Sequence, residues 1–161
     1  MRQPYEQYAD LADLLRRTGE LSAKTLIFDV EPLVATWDSG QEALDHGVAD
    51  VAAQAAAVPG AEVVCFATNA FRRPSRVPAA GATRVIYLAR AGKPLRTAPY
   101  RDLPRPGVVI GDQLATDGVL ARRLGYAFLQ YRPRLRHVPL GPRLMDYAGR
   151  LIRPVVLSRP D

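Results

Sequence analysis

The chain has 161 residues, of which 48% are hydrophobic and 24% charged, with a formal net charge of +6. This composition is typical of one soluble globular domain, and no apolar run approaches the ~20 residues that span a bilayer. The single cysteine, Cys65, excludes an intrachain disulfide and lies in an apolar run, which predicts a buried thiol in a reducing compartment. A basic surface favours anionic partners, namely phosphorylated substrates, nucleic acid or acidic lipid.

The hydrophobic pattern in chain order predicts short strands that alternate with helices. Residues 8–18 have the spacing of a short amphipathic helix, residues 30–40 are expected to form a loop, and the alanine-rich residues 41–58 are expected to form a second helix. Five compact apolar segments are predicted to be strands: residues 25–29, 62–67, 84–88, 107–111 and 126–131. This alternation predicts an α/β fold of Rossmann-like type, with a central five-stranded parallel sheet between two helical layers.

Two further helices are predicted in the C-terminal half of the chain. Residues 114–124 are expected to be helical with Gly125 at the C-terminal stop, and residues 143–152 form an amphipathic pattern that Pro154 is expected to end. The predicted organisation is a core domain over residues 1–131, with its short N-terminal helix, and a basic Arg/Pro-rich extension over residues 132–161.

Polar side chains recur at the carboxyl ends of the predicted strands, where open α/β sheets bind ligands. They are Asp29 and Glu31, then Thr68 and Asn69, then Lys93, and finally Asp112 and Asp117. A single strand-end carboxylate is often only a helix cap, but four strand ends with this chemistry indicate a shared site. Carboxylates bind Mg²⁺ and can attack phosphorus, while an ammonium and a hydroxyl neutralise and orient a phosphoryl group.

The order of these residues resembles that of the haloacid dehalogenase (HAD) superfamily. Asp29 and Glu31 match its first motif, Thr68 its second, Lys93 its third, and the run Gly111, Asp112, Gln113 with Thr116 and Asp117 its fourth. The pattern is most similar to subfamily IIIA, which contains the phosphatidylglycerophosphate phosphatase branch and tends to carry a Trp-Asp pair where this chain has Trp37 and Asp38. The resemblance covers residues 26–131 and leaves no room for a large cap domain.

The resemblance implies a role for each matching residue. Asp29 would be the nucleophile and a Mg²⁺ ligand, and Glu31 the general acid and base and also a metal ligand. Asp112 and Asp117 would be the remaining metal ligands. Thr68, Asn69 and Lys93 would bind the phosphoryl group of the substrate, and Thr68 and Lys93 would also take part in catalysis.

One motif departs from the family pattern. Glu31 stands where the family has aspartate, and Pro32 and Leu33 replace the usual Asn-Thr. The extra methylene of glutamate moves its carboxyl by about a bond length, and a misplacement of about 1 Å can cost on the order of 100-fold in rate.

Two functions therefore stay open. The first is a Mg²⁺-dependent phosphomonoester hydrolase that works through an aspartyl-phosphate on Asp29, acting on a phosphorylated small molecule or a lipid phosphate. The alternative is a HAD-fold pseudoenzyme or redirected enzyme that binds a phosphorylated or diphosphate ligand without normal phosphatase turnover. A receiver domain fits poorly because its phosphorylated aspartate ends the third strand, and here that strand ends at Leu88.

Nine arginines lie in the last quarter of the chain, and seven of them belong to the C-terminal extension. It is interpreted as a solvated basic tail, as a helix lying on an acidic membrane, or as a dimer contact. No nucleic-acid-binding motif is present, so no specific nucleic acid is predicted, and the oligomeric state is not determined by the sequence. A polar N-terminus predicts a cytoplasmic protein that contacts, at most, the inner face of the membrane as a peripheral protein.

Overall fold

The computed structural model describes residues 5–132 and 140–157. Within them, six strands form one all-parallel sheet in the order β1-β6-β5-β2-β3-β4. The strands are β1 (Tyr5–Tyr8), β2 (Thr25–Asp29), β3 (Val63–Ala67), β4 (Arg84–Leu88), β5 (Gly107–Gly111) and β6 (Ala127–Tyr131). The α-helices are α1 (Leu11–Glu20), α2 (Gln41–Ala56), α3 (Val119–Leu124) and α4 (Leu140–Leu157).

The prediction of an α/β fold with a parallel sheet is confirmed, and all five predicted strands are present. The sheet has six strands rather than five, because Tyr5–Tyr8 pairs in parallel with β6 at the sheet edge. Consequently the first helix does not begin at Tyr8 as predicted. It begins after Asp10, whose carboxylate accepts a hydrogen bond of 3.0 Å from the backbone N–H of Asp13 and so caps the helix.

Alternate residues of the central strands pack into two separate hydrophobic cores, one on each face of the sheet. On one face, Leu26 and Phe28 of β2 pack with buried residues of α1 and α2. On the other face, Ile27 and Cys65 pack with buried residues of α3. The free thiol of Cys65 is buried, as predicted. Burial on both faces explains why these strands are continuous apolar runs without polar alternation.

Two helical predictions need correction. Residues 114–124 do not form one α-helix: a π-helical turn (Leu114–Gly118) precedes α3, which ends as predicted at Gly125 with φ of 70°. Helix α4 continues through Pro154 to Leu157 instead of stopping at the proline. No helix in the described residues is both long and apolar enough to cross a membrane.

The strand order determines where a ligand site can form. From β2 the chain adds β3 and β4 on one side, and it then returns to add β5 and β6 on the other. The crevice between the carboxyl ends of β2 and β5 is therefore the topological switch point, where ligands bind in open α/β sheets. Asp29 ends β2 and Asp112 directly follows β5, so both carboxylates lie at this point.

Candidate active site

A cavity of about 230 Å³ opens at the carboxyl ends of the central strands. It is lined by Asp29, Glu31, Trp37, Thr68, Asn69, Ala70, Arg72, Lys93, Gln113 and Thr116. Five of the seven residues singled out from the sequence are in this lining. The other two, Asp112 and Asp117, adjoin it through Asp29, as the distances between their carboxylates show.

Three aspartates form a compact carboxylate cluster. One oxygen from each of Asp29, Asp112 and Asp117 lies within 4.8 Å of the other two. Burial and the charge of Asp117 raise the pKa of Asp29 well above its ordinary range, although Lys93 opposes this effect. Burial and the same Asp117 charge raise the pKa of Asp112 to about 7. The cluster thus carries more buried negative charge than its protein neighbours neutralise.

Lys93 places its ammonium between two of these carboxylates. Its Nζ donates to Asp29 Oδ1 and to Asp117 Oδ1, each at 2.7 Å. Burial alone lowers the pKa of Lys93, but the charges of Asp117 and Asp29 outweigh burial, and the net effect is an increase. Lys93 is therefore a permanent cation that fixes the orientation of the Asp29 carboxylate.

The π-helical turn after β5 brings Asp112 and Asp117 to the same place. The carbonyl of Gln113 accepts from the backbone N–H of Asp117 at 2.8 Å and of Gly118 at 3.3 Å. In a π turn each hydrogen bond spans five residues instead of the four of an α-helix, so the turn is wider. In this wider turn the Asp117 side chain lies against Gly111 at the end of β5. Only a glycine fits at position 111, because a Cβ there would lie 2.8 Å from the Cβ of Asp117 and closer still to its carboxylate.

Hydrogen bonds connect the loop after β4, which carries Lys93, to the residues that follow β3. Asn69 donates from Nδ2 to the Lys93 carbonyl at 2.9 Å and accepts from the Lys93 backbone N–H at 2.8 Å. The backbone N–H of Ala91 donates to the Thr68 carbonyl at 2.8 Å. The side-chain amide of Asn69, which the family resemblance assigned to substrate, is thus engaged in holding Lys93 in place.

Glu31 lies in the cavity but outside the carboxylate cluster. Its Oε2 accepts a 2.7 Å hydrogen bond from Thr68 Oγ1, and Arg72 Nη1 lies 3.6 Å from its Oε1. That Oε1 is buried and has no hydrogen-bond partner among the described residues. The polar contacts of Glu31 in the cavity are thus with Thr68 and Arg72. Its role as a further metal ligand stays a prediction.

Arg72 is a site residue that the sequence reasoning did not identify. Its guanidinium donates to the Thr36 carbonyl at 2.8 Å, and to the carbonyl and hydroxyl of Ser39 at 2.8 and 3.0 Å. These bonds hold the loop that carries Trp37 against the end of β3. The only sequence signal for this role is the absence of any acidic residue between Glu62 and Asp102, which leaves the segment uniformly basic.

The residues present fit a divalent cation with oxygen ligands. Asp112 Oδ1 is buried and has no hydrogen-bond partner in the described part of the chain. A buried oxygen without a partner is costly, and it is satisfied when it binds a cation. Mg²⁺ prefers carboxylate ligands and retains several waters, which suits three aspartates beside an open cavity. The candidate ligands are Asp29, Asp112 and Asp117.

No protein-family model, no curated protein and no solved structure matches this chain. The resemblance of the four motifs to the HAD superfamily accordingly stays an expectation drawn from the sequence. The functional assignment rests on the chemistry of the residues around the cavity.

Proposed function

We propose that this protein is a Mg²⁺-dependent phosphomonoester hydrolase of HAD type, with Asp29 as the nucleophile. The observation that carries the proposal is a cluster of three aspartates beside an open cavity, two of which, Asp29 and Asp117, bond the buried ammonium of Lys93. A site of this kind supplies a nucleophile, a metal position and a fixed positive charge. These are the main requirements of phosphoryl transfer, which depends on positioning and charge neutralisation.

Asp29, Asp112 and Asp117 would hold the metal. When bound, Mg²⁺ supplies positive charge that neutralises the phosphoryl oxygens and favours the ionised form of the nucleophile. Lys93 contributes a second, fixed positive charge beside these carboxylates, since it bonds Asp29 and Asp117. Asp29 is thereby kept as an oriented carboxylate in a buried site.

In the first step, a carboxylate oxygen of Asp29 attacks the phosphorus atom and the bond between phosphorus and the ester oxygen breaks. The departing oxygen takes a proton from Glu31, and the phosphoryl group remains on Asp29 as an acyl phosphate. In the second step, Glu31 takes a proton from water, which attacks the phosphorus atom. Inorganic phosphate leaves, and Asp29 and Glu31 return to their starting states.

Glu31 is positioned for these proton transfers by two neighbours. Thr68 donates to one carboxylate oxygen at 2.7 Å, and Arg72 lies 3.6 Å from the other. These contacts limit the rotation of the longer glutamate side chain and hold it in the cavity. They support turnover with glutamate at a position where the family has aspartate.

We also propose that the domain is a HAD-like core. A HAD-like core has its nucleophile at the end of the central strand, as Asp29 ends β2, which lies between β3 and β5. Residues 30–40 and 68–83, which follow β2 and β3, are too short to form a cap domain of their own. We therefore assign the chain to the capless type, in which the cavity is open to substrates of varied size.

A second candidate function is binding of a phosphorylated or diphosphate ligand without phosphatase turnover. One observation favours it: the Thr68 hydroxyl, which would bind the phosphoryl group, already donates to Glu31. In such a protein the metal held by the carboxylate cluster would retain the ligand together with Lys93, while Glu31 would not reach the leaving oxygen.

The first experiment is a screen for phosphate release from small phosphomonoesters, an aryl phosphate and a lipid phosphate, with Mg²⁺ and with chelator. The hydrolase proposal predicts Mg²⁺-dependent release from at least one of them. Glu31→Asp separates the two functions. A large gain of activity over an inactive wild type indicates a binding protein with an impaired site, and a loss indicates a hydrolase adapted to glutamate.

A further inference from the structure

Helix α4 is attached to the core along one face. A Cβ at Gly149 would lie 3.3 Å from the Cβ of Leu114, so the helix packs closely on the first residue of the π-helical turn. Arg132 donates to Asp146 at 2.6 Å, and the Arg153 guanidinium lies 5.4 Å from the centre of the Tyr5 ring. These contacts fix which side of α4 faces the protein.

The opposite face of α4 exposes three large apolar side chains. Leu144, Tyr147 and Leu151 are 69%, 64% and 68% exposed. Their spacing of three and four residues places them in one stripe along the helix. Three isolated apolar residues on a surface would need no explanation, but a continuous stripe on a helix whose other face is already packed indicates a binding surface.

The charge beside this stripe is positive. Arg143 and Arg150 lie within about 60° of Tyr147 around the helix axis, given 3.6 residues per turn, and both are exposed. The acidic residue of α4, Asp146, is already paired with Arg132 at 2.6 Å and with Arg150 at 3.1 Å. The outer face of α4 therefore combines an apolar stripe, which includes Tyr147, with neighbouring arginines.

We propose that this face of α4 binds the surface of an acidic lipid bilayer. The helix would lie in the plane of the interface, with Leu144, Tyr147 and Leu151 at the boundary of the acyl chains and the arginines among anionic head groups. Amphipathic helices with this arrangement bind membranes in that way, and their affinity depends on both the apolar area and the charge. The proposal is independent of the hydrolase activity.

A second copy of the chain fits this face less well. Three apolar side chains are far fewer than the roughly 20–30 residues that each partner contributes to a specific interface. Two copies would also bring the arginines of both helices together, and like charges at an interface oppose association. A bilayer needs neither an extended complementary surface nor a matching charge pattern.

The test is co-sedimentation of the full chain with vesicles of phosphatidylcholine, with and without phosphatidylserine. We expect binding to the acidic vesicles alone, and weaker binding as salt is raised. Leu151→Glu should reduce the partition constant at least about tenfold, since burial of one leucine is worth roughly that factor. The matched control is Leu95→Glu, which makes the same change at a leucine that is 78% exposed elsewhere. It should retain most of the binding.

Three outcomes would overturn the proposal. The first is an absence of vesicle binding by folded wild-type protein, with its fold checked by circular dichroism. The second is an equal loss in Leu151→Glu and Leu95→Glu, which would assign binding to net charge alone. The third is a dimer in light scattering that Leu151→Glu converts to a monomer, which would assign the stripe to a second copy of the chain.

Discussion

Asp117 packs directly on Gly111, the last residue of β5, so that a Cβ at position 111 would lie 2.8 Å from the Cβ of Asp117. The bare backbone at position 111 leaves room for the Asp117 carboxylate, which Lys93 Nζ then holds by a 2.7 Å hydrogen bond. A residue with no side chain therefore helps to set the position of a candidate metal ligand.

The first prediction follows from this contact. Gly111→Ala should displace Asp117 and weaken Mg²⁺ binding by about 10- to 100-fold, the usual cost of disturbing a residue that supports a metal site. Isothermal titration calorimetry measures the affinity directly. Gly19→Ala is the control, since a Cβ there would make only ordinary contacts of 3.6 and 3.7 Å. Unchanged Mg²⁺ affinity in Gly111→Ala would remove Asp117 from the metal site.

Lys93 is predicted to be essential for stability when no metal is bound. Lys93→Met leaves Asp29 and Asp117 buried without their shared ammonium, so the free energy of unfolding in chelator should fall by about 3–5 kcal/mol. Added Mg²⁺ should recover part of this loss, because it supplies charge to the same carboxylates. Denaturant titration with and without Mg²⁺ provides both values.

The control for Lys93 is Lys24→Met. Lys24 forms a surface ion pair with Glu62 at 2.9 Å, and surface pairs contribute about 0–1 kcal/mol. If the two variants lost the same small amount of stability, the buried carboxylate cluster would not depend on Lys93.

The pH dependence of stability is predicted from Asp112, whose pKa is raised to about 7 from an ordinary value of 3.8. Between these values the folded protein binds more protons than the unfolded chain. The free energy of unfolding of the metal-free protein should therefore fall as the pH rises through this window. Mg²⁺ binds the ionised form, so it should raise Tm more at about pH 8 than at about pH 5.

Asp112→Asn isolates this contribution, because asparagine does not titrate. Thermal unfolding of both proteins across the pH range measures it. The metal-free variant should lose less stability than wild type as the pH rises from about 4 to about 7. Parallel pH profiles for the two proteins would show that Asp112 does not titrate in this window.

Thr68 is predicted to act through Glu31. Thr68→Val keeps the shape of the side chain but leaves Glu31 Oε2 without the 2.7 Å hydrogen bond that it now accepts. A buried group that loses its partner costs about 1–3 kcal/mol, and turnover should fall because the carboxyl is no longer held. Thr68→Ser preserves the hydroxyl and should keep most of the activity. Equal kcat in the valine and serine variants would exclude this positioning role.

The central part of the fold was predictable because its strands are continuous apolar runs, and the site because polar residues recur at several strand ends that meet at one edge of a parallel sheet. Asp29, Thr68, Lys93 and Asp112 were identified in this way, and the structure brings them to one crevice. The pairing of Tyr5–Tyr8 with β6 was not predictable locally, since its partner lies more than a hundred residues along the chain.

Two features of the site also had no local signature. The π-helical turn at Leu114–Gly118 differs from an α-helix only in its hydrogen-bond register, which a hydrophobic pattern of this length does not reveal. The bonds from Arg72 to Thr36 and Ser39 connect two loops that come together only in the folded chain.

The most direct test of the central claim is acid-quench trapping of the enzyme during turnover of a reactive aryl phosphate with Mg²⁺, followed by peptide mass spectrometry. We expect one added phosphoryl group on the peptide that contains Asp29. We also expect no such peptide with chelator or in Asp29→Asn, whose rate of phosphate release should fall by more than about 10³-fold. Full phosphate release by Asp29→Asn, or a phosphoryl group trapped on another residue, would contradict that claim.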